Sequence, residues 1–343
     1  MGTISWIVVI AGLAVGALFL IDPEISYVSN DTIRQEIRAQ TSPEALDARI
    51  NAALDRDDYD TAVMYADVAD FAGITLSQET LDRIEREGAW AASTLRNARQ
   101  FSRGFLTGEA DSIPGLSGAV ASDLTVIGDV RDLSTEGGKM LAGQDYNQLI
   151  LGLSVVGVGL TGATIATGGA TLTGRVGVSI VKIASKTGAM TLQFSRYLTR
   201  LVTDAVDFPA LRQTLRSVDM GNPRATRAAV ENYAASVRTA GLFPVLERVE
   251  DISRSTSPAE SLRLMRYVDT GEDLEDMAQL SNRMGRRTRG VIEITGKTSL
   301  RAFRTTVKLL RVMLDNILAF LGGLGSLIAA VLGRRGLRAV RGR

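Results

Sequence analysis

"QLILGLSVVGVGLTGATIATGGATLTG", Gln148 to Gly174, is 27 residues without a charged side chain, and its reading decides the fold. Inside it, Gly157, Gly159 and Gly162 satisfy G-x-G-x-x-G after an apolar run, the spacing of a dinucleotide-binding turn. That turn requires an acidic residue about 20 positions on for the ribose, within alternating strands and helices. The next acidic residue after Gly162 is Asp204, and no strand–helix alternation follows. A helix accounts for the same residues better. Gly162, Ala166, Ala170 and Gly174 recur every four positions, a small-residue stripe through which two helices pack closely, in lipid or in a protein core. Residues 148–174 are therefore expected to be a membrane or packed apolar helix. Gly157 lies off this stripe, so Gly157→Ala is expected to be milder than Ala166→Leu.

Working outward, Ile4 to Ile21, "ISWIVVIAGLAVGALFLI", forms an 18-residue apolar run, and no charge occurs before Asp22. The length meets the minimum for a membrane helix. The n-region has no Lys or Arg and "IDPE" is not a small-residue cleavage site, so the expectation is an uncleaved anchor over 1–22. A third apolar run, Ile317 to Leu332, is followed by Arg334, Arg335, Arg338, Arg341 and Arg343, a basic tail suited to anionic lipid headgroups or a partner.

The net charge of +1 hides a segregation. Residues 22–147 hold 23 acidic and 11 basic side chains, and 175–343 hold 15 and 28. The chain contains no Cys and no His. Disulfides, thiolate nucleophiles, His-based triads and the commonest metal ligands are thereby excluded, and no catalytic, cofactor or metal residue is inferred.

Helix signals dominate elsewhere. Ser42-Pro43-Glu44, Ser77, Asn222-Pro223 and Ser257-Pro258-Ala259-Glu260 read as helix starts, the last as a capping box. Apolar residues three to four apart predict two or three helices between Asp31 and about Leu106. No 34-residue period supports repeats. The expected organisation is an anchor (1–22), an acidic helical domain (23–108), a Gly-rich connection (109–147), the central apolar helix (148–174), a basic helical domain (175–312) and a C-terminal apolar segment with its Arg tail (313–343).

Several chemical-looking motifs fail on spacing. "GVIEITGKT", 290–298, has five residues between its glycines where a P-loop has four. "SIVK" and "KTG", at 179–182 and 186–188, fall on neighbouring turns. Asp55, Asp57, Asp58 and Asp60 lack the Gly and Glu of a calcium loop. Arg283, Arg286, Arg287 and Arg289 suit phosphates or a solvated helix face, and no aromatic residue interleaves to stack bases.

"VIGDVRDLSTEGGKMLAGQ", Val126 to Gln144, followed by the Gly-rich apolar segment and "KIASKTG", resembles the pre-toxin region ahead of toxin domains in bacterial polymorphic toxins. It is also similar to uncharacterised proteobacterial membrane proteins carrying "GDVRDL". The resemblance spans residues 126–188, with no recognisable toxin domain after it, and implies membrane association without catalytic residues.

The expectation is an all-α, membrane-anchored protein of the bacterial inner membrane, acting as a scaffold or subunit of an assembly. Its partners would be anionic lipid and a protein or second copy, with no nucleic acid and no cofactor. The alternatives are a pore-forming or toxin-delivery protein and a nucleotide-binding enzyme using residues 157–162. The favoured topology has the N-terminus and basic half in the cytoplasm and the acidic half outside.

Overall fold

The computed structural model describes residues 30–91, 126–166, 174–219, 221–297 and 300. Residues 1–22, Ala170 and the segment 313–343, with Arg334, Arg335, Arg338, Arg341 and Arg343, lie outside the described residues. Every element among the described residues is helical. The fold is all-α.

Residues Arg34–Leu300 form one compact unit. The helices of the described residues are α1 (Asn30–Gln40), α2 (Pro43–Leu54), α3 (Tyr59–Ala72), α4 (Gln78–Ala91), α5 (Val126–Leu141), α6 (Gln148–Ala166), α7 (Arg175–Thr187), α8 (Leu192–Ala205), α9 (Phe208–Arg216), α10 (Pro223–Ala234), α11 (Phe243–Ser255), α12 (Pro258–Leu264), α13 (Gly271–Met284) and α14 (Thr288–Thr295), with 3-10 turns at Met265–Tyr267 and Gly285–Arg287.

Their starts follow from short polar side chains that accept orphan backbone N–H groups. Ser42 accepts from Ala45 at 3.2 Å and Asp58 from Thr61 at 3.2 Å. Thr191, Asp207, Asn222 and Ser257 do the same for α8, α9, α10 and α12. Proline fills the first turn of α2, α9, α10, α11 and α12, where its missing N–H costs nothing. Gly73 and Gly188 end α3 and α7 at φ 64° and 67°, the left-handed conformation that glycine adopts without strain.

The centre of the unit is α6. Residues 149–158 are buried without interruption, because α5, α7, α8 and α10 pack around the helix. An apolar face on every side is what a fully enclosed core helix requires. This part of the central segment is thus covered by protein rather than lipid, and among the described residues no helix is long and apolar enough to cross a membrane. Nor does one helix run to residue 174. Gly174 sits at φ 89° as the N-cap of α7, with its N–H donated to buried Glu250 of α11. A residue with positive φ interrupts helical geometry, so Gly174 does not continue the face of Gly162 and Ala166, both of which lie within α6.

From α6 the packing proceeds through α7 to α11, and α11 carries α12 and α13. At the other end α2, α3 and α4 pack on one another, and α3 receives α14 and the Gly285–Arg287 turn.

Candidate functional site

Asp129, Asp132 and Glu136 on α5 fall at i, i+3 and i+7, one face of a helix, and Lys182 and Lys186 on α7 fall at i and i+4. The two faces meet beside α6. Lys182 Nζ lies 2.7 Å from Asp129 Oδ1 and 2.8 Å from Asp132 Oδ2, and its side chain is 0% exposed. Lys186 Nζ is 2.8 Å from Asp132 Oδ2. Burial pushes the Asp132 carboxyl up, but Lys182 and then Lys186 more than offset it and hold the group below its ordinary range. Removing these charges from water is costly, and mutual pairing with further hydrogen bonds is what makes it tolerable.

Glu136 completes the arrangement by seating the start of α6. It accepts from the Asn147 backbone N–H at 2.6 Å and pairs with Lys139 at 2.7 Å, while the Asn147 side chain accepts from Ile150 at 3.1 Å. On the opposite wall Gly157 of α6 leaves the space that the Asp129 carboxylate occupies, since a β-carbon there would come 2.5 Å from Oδ2. Chemically this is a clamp: both aspartates accept from lysine, and their carboxylates hold α5 to α7 across the core helix. The two separated halves of the quoted resemblance, "GDVRDL" and "KIASKTG", supply its opposing charges.

A second buried network joins α3 to α12 and α14. Arg289 donates to Glu260 Oε2 at 2.7 Å, to Glu293 Oε1 at 3.2 Å and to Thr61 Oγ1 at 2.8 Å. Arg263 holds the other Glu260 oxygen at 3.1 Å. Tyr65 donates to Glu293, and burial, followed by the Glu293 carboxylate, pushes its hydroxyl up to about 12. Glu260 therefore does not close the expected capping box. Ser257 caps its backbone N–H at 3.1 Å, but the carboxylate is held by the two arginines. The capping box that forms is Thr270 with Asp273.

The four-arginine cluster is divided. Arg289 is buried in this network, whereas Arg287 lies with its guanidinium 4.9 Å from the Phe71 ring centre, and Arg283, Arg286 and Arg287 line an open depression of about 410 Å³ with Asp67 and Asp70. A larger groove of about 780 Å³ runs between Met140, Tyr146, Phe208, Arg212 and Arg216. The Tyr146–Phe208 pair, ring centres 6.1 Å apart, is part of its lining, and there Arg212 donates to the Met140 carbonyl at 2.6 Å.

The remaining motifs become ordinary structure. Residues 157–162 are helical, not a phosphate turn. Gly290 lies in α14 against Val68 and Met64. Lys182 of "SIVK" is the clamp lysine. Asp55 pairs with Arg83 at 2.7 Å and Asp58 caps α3. Among the described residues no group of three or more acidic side chains is arranged to hold a metal ion. Sequence reasoning missed the clamp itself, although the i, i+3, i+7 acids and i, i+4 lysines on predicted helices carried the signal. Comparison with protein-family models, curated proteins and solved structures finds no match.

Proposed function

We propose that this chain is a membrane-anchored, non-catalytic helical protein that acts as a scaffold or subunit of an assembly at the bacterial inner membrane. The observation that carries the reading is where the compact unit spends its ionisable groups. Asp129, Asp132, Lys182, Glu260, Arg289 and Glu293 are all engaged with one another in helix packing, so they fix a rigid body instead of facing a substrate. The 18-residue apolar run at 4–21 supplies the anchor, and the arginines at 334, 335, 338, 341 and 343 meet anionic lipid or a partner protein. Alkaline carbonate extraction of membranes, followed by detergent solubilisation and identification of what co-purifies, tests it. Recovery of most of the chain in the carbonate-soluble fraction overturns the membrane assignment, and elution of the detergent-solubilised chain as a lone monomer overturns the scaffold role.

A second reading, pore formation, is favoured by the uncharged run 148–174, of which residues 149–158 are sheathed by amphipathic helices. A sheathed apolar helix is suited to release into a bilayer. Conductance across planar bilayers by the purified full chain supports this reading, and electrically silent bilayers at saturating protein reject it.

A further inference from the structure

We propose that the depression between α3 and the Gly285–Arg287 turn binds a small zwitterion that joins a phosphate to a primary ammonium, the chemistry of phosphoethanolamine. The site rests on geometry within the compact unit and does not require the membrane reading.

Its walls carry opposite charge. Asp67 and Asp70, one turn apart on α3, form one side, and Arg286 and Arg287, with Arg283 beside them, form the other. Nearby charges close on each other: Arg289 on Glu260 and Glu293, Arg263 on Glu260, Lys297 on Asp269. Across the depression Asp67, Asp70, Arg286 and Arg287 do not. Among the described residues no ion pair joins Asp67 or Asp70 to Arg286 or Arg287. The opening of about 410 Å³ falls within the size of ligand clefts, about 300 to 1,000 Å³.

Arg287 is held in place before any ligand arrives. Its guanidinium lies 4.9 Å from the Phe71 ring centre and its Nε donates to the Met284 carbonyl at 3.4 Å. A stacked guanidinium keeps its terminal N–H groups at the edge of the plane, where they meet phosphate oxygens. Arg286 and Asp70 are exposed, so both reach a ligand in the opening. The two carboxylates decide the ligand class. They repel a simple phosphate or a nucleic-acid backbone, and they accept hydrogen bonds from an ammonium group that enters with its own phosphate. The same chemistry comes from a free molecule or from a phosphatidylethanolamine headgroup.

The test is isothermal titration of the full chain in detergent with O-phosphoethanolamine, inorganic phosphate and ethanolamine. Saturable binding of the joined molecule is expected, at least about tenfold tighter than either part, a difference of about 1.4 kcal/mol. Arg286→Ala and Asp70→Asn, both at exposed positions, should each weaken it by about tenfold at an unchanged melting temperature. Competition by phosphatidylethanolamine vesicles, and not by phosphatidylcholine vesicles, assigns the headgroup as the source; lack of competition assigns the soluble molecule. Absence of saturable phosphoethanolamine binding overturns the proposal. So does phosphate binding as tightly as phosphoethanolamine with Asp70→Asn tightening it, which marks a plain anion site.

Discussion

Gly157 on α6 faces the Asp129 carboxylate on α5 across a gap too small for a β-carbon: a methyl group at 157 would stand 2.5 Å from Oδ2 and 2.8 Å from Cγ. Because Asp129 is also held by Lys182 at 2.7 Å, it cannot swing away without breaking a buried ion pair. Gly157→Ala is therefore expected to cost about 1–3 kcal/mol, the range of core overpacking. Gly177→Ala should cost more, since the obstacle there is the Leu246 backbone carbonyl, which no rotamer change can move. Urea melts of both variants measure this, and a Gly157→Ala midpoint equal to that of the parent would refute the close approach.

The opposite sign is expected one helix away. Gly138 lies inside α5 with nothing within 4 Å of its would-be β-carbon. Alanine there removes the entropy cost of a mid-helix glycine, so Gly138→Ala should stabilise the protein by about 0.5–1 kcal/mol. Thermal unfolding checks it, and a lowered melting temperature contradicts the open environment.

Loss of the clamp lysine should be severe. Lys182→Met leaves Asp129 and Asp132 buried without the cation they share, and breaking one side of a buried pair costs about 3–5 kcal/mol. Adding Asp129→Asn removes the stranded charge and should restore a measurable part of the loss. A double variant less stable than Lys182→Met alone would show that charge burial is not the cause.

The pH profile should fall away at both ends. Asp132, buried but paired with Lys182 and Lys186, titrates in the folded state below its ordinary value of 3.8, so its contribution is complete above that value and is lost as pH drops through the lower, folded one. Asp132→Asn should flatten this acid limb. Tyr65 is raised from 10.0 to about 12 by burial and Glu293, so its contribution is complete below 10 and lost as pH climbs toward 12. Tyr65→Phe should reduce the alkaline limb without abolishing it, because Tyr233 and Tyr267 are shifted in the same direction. Stability measured from pH 2 to 12 decides both.

Much of the helix inventory was legible from local chemistry. Ser42, Asn222 and Ser257 cap where the sequence places them, because capping depends on residues within three positions. Among the described residues, 30–91 contain four helices where periodicity suggested two or three, since the turn at Arg56–Asp58 with Asp57 at φ 58° carries no glycine or proline to announce it. The surroundings of α6 were not legible at all. An uncharged helix reads alike whether lipid or four protein helices cover it, and the lysine that reveals the protein environment is 53 residues from its partner. The same distance hid the clamp and the contact of Gly157 with the Asp129 carboxylate. Glu260 was read as a local cap because the pattern was complete; Arg289, 29 residues on, outbids the backbone.

The hydrogen bond from Arg289 to Thr61 spans 228 positions and carries a consequence for biosynthesis. A ribosome releases α2, α3 and α4 long before it makes α14, so Thr61 and Tyr65 wait without Arg289 and Glu293 while the intervening helices emerge. Contacts of such sequence separation form late and slow folding. The first helices of this unit are thus among the last to be sealed, and the newborn chain presents them to chaperones and proteases until residues near 295 have left the exit tunnel.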